Sequence, residues 1–197
     1  GMSIFSGQEE GHIYARFGNP TTDMVAAKIG RLEAHQTELE VFSLLTSSGM
    51  SAVSTLGMAL LKQGDKILTQ GNLYGGTTEL FTRIFGNLGV EVILINLQDL
   101  NLVRDHLKKD PAIKMVYFET PANPTMACVD MKALADLAHE AGAVAVADNT
   151  FCTPYLQQPL KFGVDYVIHS TTKFLNGHGN SISGAIISPH VATMKDV

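Results

Sequence analysis

The sequence contains no tryptophan and only two cysteines, Cys128 and Cys152. Two cysteines without patterned spacing exclude a disulfide framework and a cysteine-based zinc site, and they suit free thiols in a reducing compartment. Charge is scarce as well: Asp, Glu, Lys and Arg make up 17% of the chain, the net charge is −5, and no cluster of basic residues stands out. Nucleic acid and anionic membrane surfaces are therefore not expected partners. No apolar run approaches the length of a membrane span. The N-terminus lacks the charged-then-apolar order of a secretion signal, and the cytoplasm is the expected location. The seven histidines lack metal-ligand spacing, so no metal is expected.

What the chain does have is a 45% hydrophobic composition over 197 residues, enough for one substantial domain with a real core. Strand-like apolar runs recur, each followed by a turn and a helical pattern. Val41 to Leu45 precedes Ser47-Ser48-Gly49-Met50 and an apolar helix to Leu61. Lys66 to Thr69 precedes Tyr74-Gly75-Gly76 and a helix to about Phe85, and Val90 to Ile95 precedes a helix over Leu100 to Lys108. Lys114 to Phe118 leads into Glu119-Thr120-Pro121-Ala122-Asn123-Pro124. Asp130 caps a helix that places Met131, Leu134, Leu137, Ala138 and Ala141 on one face and ends at Gly142. Ala143 to Ala147 and Asp165 to Ile168 are short strands ending at Asp148 and ahead of Ser170. Near-continuous apolar strands alternating with helices predict an α/β fold, a mainly parallel sheet with helices on both faces.

In such sheets ligands bind beyond the carboxyl ends of the strands. Ser47 to Met50, Tyr74, Glu119 to Asn123, Asp148 and Ser170 to Lys173 all fall there, so one pocket is expected to gather them. Each has a plainer reading when taken alone. Ser48 ahead of a helix is most often only a cap, although the free N–H groups of Gly49 and Met50 suit an anion. Ser170 and Thr172 alone are polar loop residues. Asp148 ends a buried strand, where a carboxylate serves a cap, a structural ion pair or a ring cation about equally well. Tyr74 is an aromatic of the kind usually found in a core. Lys173 would ordinarily point to solvent, yet among hydroxyls, apolar residues and glycines it suits attack on a carbonyl. Together, an anion cradle, a buried acid, an aromatic platform and a lysine specify pyridoxal 5′-phosphate (PLP).

The same residues carry a resemblance. Tyr14-Ala15-Arg16-Phe17-Gly18-Asn19-Pro20-Thr21, Ser47-Ser48-Gly49-Met50, Leu73-Tyr74-Gly75-Gly76-Thr77, Glu119-Thr120-Pro121-Ala122-Asn123-Pro124-Thr125, Asp148-Asn149-Thr150-Phe151 and Ser170-Thr171-Thr172-Lys173 occur in the order of one family. The chain resembles the Cys/Met metabolism group of PLP-dependent enzymes, which includes methionine γ-lyase, cystathionine γ-lyase, cystathionine γ-synthase and O-acylhomoserine sulfhydrylase. The resemblance implies the aspartate aminotransferase-like fold type I. It makes Lys173 the Schiff-base lysine and proton shuttle, Asp148 the partner of the pyridinium nitrogen, and Tyr74 the stacking ring and an acid–base group. Gly49, Met50, Ser170 and Thr172 become phosphate ligands, and Asn123 contacts the ring's phenolic oxygen. Tyr14 and Arg16 reach the phosphate of a neighbouring subunit, which implies a homodimer or homotetramer. The implied division is residues 1–18 as the segment reaching that neighbour and 19–197 as the PLP-binding large domain. The family's chains are about twice as long, so the C-terminal small domain is expected to be absent here. The implied reaction is γ-elimination on a sulfur amino acid such as methionine or cystathionine. The alternatives are γ-replacement and a catalytically incomplete PLP-binding fragment. Methionine γ-lyases usually carry cysteine where this chain has Gly76.

Overall fold

The structure, a computed structural model, describes residues 1–15 and 18–195. A single turn, α1 (Met2–Phe5), and an irregular stretch precede α2 (Pro20–Glu33). Asn19 starts α2 by accepting hydrogen bonds from the Thr21 and Thr22 N–H groups at 3.0 Å, and Pro20 at the first helical position costs nothing there. Then follow β1 (Phe42–Thr46), α3 (Gly49–Leu60), β2 (Lys66–Gln70) and α4 (Gly75–Glu79), which continues as a wider π-helical stretch over Leu80–Phe85. Next come β3 (Glu91–Ile95), α5 (Leu100–Lys109), β4 (Ile113–Glu119), α6 (Met131–Glu140) and β5 (Val144–Asp148). The described chain finishes with α7 (Thr153–Leu156), a 3-10 turn at Pro159–Phe162, β6 (Tyr166–His169), β7 (Gly184–Ser188) and α8 (Val191–Met194).

The seven strands form one sheet in the order β1-β7-β6-β5-β4-β2-β3. Pairings among β2 to β6 are parallel, as the alternating pattern predicts. β7 is the exception, running antiparallel to both β1 and β6. Two antiparallel pairings in succession leave β1 pointing the same way as the parallel set, so its carboxyl end stays on the same rim as the others. The period of two sorts the strand residues between two cores. Leu68, Val116, Phe118, Ala145, Ala147 and Val167 pack with α2, α5 and α6. Ile67, Met115, Tyr117, Val146, Ile168 and Ile186 pack on the other face with α3, the π-helical stretch and α8. Helices therefore cover both faces. Asp130 caps α6 through the Ala133 N–H at 3.0 Å, and Gly142 leaves the helix at φ +71°. No helix among the described residues is long and apolar enough to cross a membrane.

Candidate active site

Every strand end singled out in the sequence opens onto one cavity of about 280 Å³. Its lining includes Gly49, Met50, Tyr74, Asn123, Asp148, Ser170, Thr172 and Lys173, eight of the ten expected site residues. Tyr14 lies elsewhere: it is 56% exposed and is not part of this chain's own pocket lining. Arg16 falls outside the described residues.

The anion-binding corner is built by α3. Ser48 is the cap that its plainer reading foresees: its hydroxyl accepts from the Ser51 N–H at 3.0 Å while the Ser51 hydroxyl accepts from the Ser48 N–H at 2.8 Å. That leaves the first-turn N–H groups of Gly49 and Met50 without intrahelical acceptors, at the positive end of the helix dipole. Position 49 tolerates no side chain. A Cβ there would stand 2.6 Å from the Ser170 Cβ and 2.9 Å from its Cα, so glycine lets the two loops meet. Thr172 is already engaged: its hydroxyl donates to the Ser183 carbonyl at 3.1 Å and accepts from the Ser183 N–H at 3.0 Å. To serve an anion as a donor it has to turn away from Ser183, whereas the Ser170 hydroxyl makes no hydrogen bond among the described residues.

Asp148 closes β5 at the pocket floor. Its Oδ1 accepts from the Thr150 N–H at 3.0 Å and from the Thr150 hydroxyl at 2.5 Å. The Thr150 hydroxyl oxygen accepts in turn from the Ser170 N–H at 2.9 Å. One threonine thus fixes the acid relative to the anion corner, although the sequence assigns it no role beyond its place in the motif. Burial raises the Asp148 carboxyl above its ordinary range, partly offset by the two Thr150 hydrogen bonds and by His169. Tyr117, fully buried behind it with its hydroxyl 3.5 Å from Asp148 Oδ2, is raised further by burial and by the carboxylates of Asp148 and Glu119.

Tyr74 contradicts its core reading. It stands 52% exposed at the start of α4, with its ring over Gly76: a Cβ at 76 would lie 2.7 Å from the Tyr74 Cε1 and 3.2 Å from the Met50 Sδ. Lys173 lines the pocket and is exposed. Its backbone N–H donates to the Ser170 carbonyl at 3.1 Å in the turn that follows β6. Glu119 is the residue the sequence brings to the rim without a task. It is buried, lines the pocket, and accepts from the Tyr74 N–H with both oxygens, at 2.9 and 3.0 Å. Burial, then the charge of Asp148, pushes it up to about 7.

Behind the pocket, Glu33 of α2 and His169 of β6 form a fully buried pair, joined by Asn149, whose amide donates to Glu33 at 2.9 Å. It ties α2 to the ends of β5 and β6. Among the described residues no group of three or more His, Cys, Asp or Glu side chains is placed to hold a metal ion.

The profile of the Cys/Met metabolism PLP-dependent enzymes matches residues 2–197. The chain belongs to that family. It is 43% identical to the L-methionine gamma-lyase of Fusobacterium nucleatum subsp. polymorphum over 185 residues, 93% of this chain and 45% of that protein. It is 39% identical to the O-succinylhomoserine sulfhydrylase of Pseudomonas aeruginosa over 98% of this chain and 46% of that protein. The solved cystathionine gamma-lyase of Lactobacillus plantarum complexed with L-serine superposes with a TM-score of 0.88 at 33% identity, covering 95% of this chain and 47% of the other. The chain spans about half the length of the curated relatives it matches. The sheet and its helices are those of the family, so the type I fold expected from the motifs stands.

The pocket suits PLP on its own terms. It pairs free helix N–H groups with a serine hydroxyl for a phosphate, and its floor carboxylate takes part in no salt bridge among the described residues, as a ring cation requires.

Proposed function

We propose that this chain is the cofactor-holding part of a PLP-dependent enzyme that removes the γ-substituent of a sulfur amino acid such as methionine or cystathionine. The observation that carries this reading is the gathering of Lys173, Asp148, Tyr74 and the Gly49–Met50 helix start around one cavity. Bound PLP would supply an electron sink for a carbanion at the substrate Cα. Gly49 and Met50 hold the phosphate through their N–H groups, with the Ser170 hydroxyl and, once turned from Ser183, the Thr172 hydroxyl. Asp148 stays ionised against the ring nitrogen. Asn123 faces the phenolic oxygen, and Tyr74 forms the ring's stacking wall and an acid–base group toward the γ position. Lys173 is the amine that would hold the aldehyde carbon and would serve as the base that moves a proton from Cα toward the outer carbons. In the same reading residues 19–197 form the large domain. Tyr14 and Arg16 belong to a segment, residues 1–18, that completes the phosphate site of a second copy, which makes a homo-oligomer the working unit. The exposed position of Tyr14, away from its own pocket, supports that arrangement.

The sulfhydrylase relative keeps γ-replacement as the second reading. Incubation with PLP, borohydride reduction and peptide mapping test the site: a pyridoxyl group on Lys173 is expected, and its absence sinks the assignment. Release of 2-oxobutanoate from methionine or cystathionine then supports elimination. Cystathionine made from O-succinylhomoserine and cysteine, without 2-oxobutanoate, would establish replacement instead.

A further inference from the structure

Glu119 occupies a position that the roles above leave unexplained. It closes β4 directly beside Asp148, its register partner at the end of β5. Two carboxylates on neighbouring strand ends repel each other, and nothing in cofactor binding as described needs the second. Its backbone is clamped by one side chain: the Gln70 Nε2 donates to the Glu119 carbonyl at 3.1 Å, and the Glu119 N–H donates to the Gln70 Oε1 at 3.3 Å. The side chain meets the Tyr74 N–H with both oxygens, and the Asn123 backbone also donates to the carboxylate. The Tyr74 carbonyl is held only by its own helix, accepting from the Thr77 and Thr78 N–H groups at 2.9 and 3.1 Å among the described residues, so Glu119 is what ties its N–H to the sheet, while its ring rests on a glycine.

We propose that Glu119 is a positioning residue, a proton-operated latch on Tyr74: ionised, it grips the Tyr74 backbone with both oxygens and fixes the ring as the wall of the pocket, and protonated, it keeps one contact and lets the wall move. The inference rests on the reading of this cavity as a PLP site. The titratable groups around Glu119 are Asp148 on β5, Tyr117 on its own strand, Tyr74 at the start of α4, and Lys173 in the pocket lining. Among these, Asp148 is the group that opposes its ionisation, second only to burial. A cation seated against Asp148 cancels that opposition. Loading the pocket therefore tightens the latch, and an empty pocket near neutral pH leaves it half closed.

The test begins with the cofactor-free chain. Selective 15N-tyrosine labelling gives one amide signal for each of the five tyrosines, and Tyr74→Phe identifies the relevant one by its loss. The Tyr74 amide proton is expected to move downfield as pH rises, with a midpoint near 7, and to stay fixed in Glu119→Gln. A wild-type signal that does not titrate, or one that titrates equally in Glu119→Gln, overturns the latch. PLP affinity, read by absorbance, supplies the second arm through a double-mutant cycle. Glu119→Ala is expected to weaken binding about tenfold in the wild-type background and not at all in Tyr74→Ala. Independent, multiplying losses would overturn the positioning role. Thermal melts of both variants separate either outcome from misfolding. If the wild-type chain takes up no PLP, the assignment of the site falls, while the amide titration still decides whether Glu119 holds Tyr74.

Discussion

The two ends of the sheet treat carboxylates in opposite ways. At the end away from the pocket, Asp165, Glu91 and Asp110 each have a charged or imidazole partner. Asp165 accepts from His139 at 2.8 Å, from His190 at 2.7 Å and from the Ala145 N–H at 2.8 Å. Lys66 bridges Glu91 at 2.8 Å and Asp110 at 2.9 Å, which raises the lysine and lowers Asp110. At the pocket end, Glu119 and Asp148 stand side by side with N–H and O–H donors but no ion pair among the described residues, and both are pushed up by burial. One end is electrostatically finished by the chain itself, whereas the other is left for something else to finish.

The comparison breaks most visibly through Asp148→Asn. Removing that charge is expected to weaken PLP binding about a hundredfold, measured by absorbance titration, while leaving the cofactor-free chain at least as stable as the wild type. Asp165→Asn should do the reverse. It strands two histidines and a backbone N–H, and is expected to cost about 2–3 kcal/mol in denaturant unfolding with little change in PLP affinity once folded. The pH dependence comes next in size. Glu119 titrates higher in the folded chain, at about 7, than its ordinary 4.5. Its contribution is therefore full below the ordinary value and is lost as pH rises through the folded one. The cofactor-free chain should lose about 2–3 kcal/mol between those limits, with Asp148 acting in the same direction. Glu119→Gln should flatten the Glu119 part of that fall in melting curves, and saturating PLP should remove most of the rest. The smallest effect sharpens the contrast from outside both ends. Lys132 and Asp136 form an exposed i,i+4 pair at 2.6 Å on α6, and Lys132→Ala should cost only about 0.3 kcal/mol.

Much of this was legible in the residues, and what was not has a physical cause. Strands β2, β4, β5 and β6 announce themselves as apolar runs because both of their faces are covered, and their ends point to the pocket without reference to any structure. Strand β1 is found one residue early. Gly184 to Ser188 is different: it follows a loop rich in glycine, serine and asparagine, opens on a glycine, and becomes a strand only because β1 and β6 leave a slot between them. The helix Pro20–Glu33 carries a start signal in Asn19-Pro20 that a search for strand–turn–helix units passes over. In the site, Asp148, Lys173 and the α3 start could be read from type and position. The work of Thr150 and Glu119 could not, since it lies in hydrogen bonds to residues 20 and 45 positions away. The Glu33–His169 pair spans 136 positions and leaves no local trace.

The antiparallel strand has a consequence for the order in which this protein comes into being. Among the described residues β1 pairs with β7 alone, from Phe42 against Ser188 to Thr46 against Gly184. At the close of that ladder a Cβ on Gly184 would lie 2.2 Å from the Ser48 carbonyl oxygen, so the last strand is pressed against the loop that opens α3. Among the described residues β1, which leads into the anion corner, therefore has no strand to pair with until nearly all of the described chain has left the ribosome. A nascent chain halted before Gly184 would carry its lysine, its acid and its aromatic wall, and would still lack the strand that braces β1 and the loop opening α3.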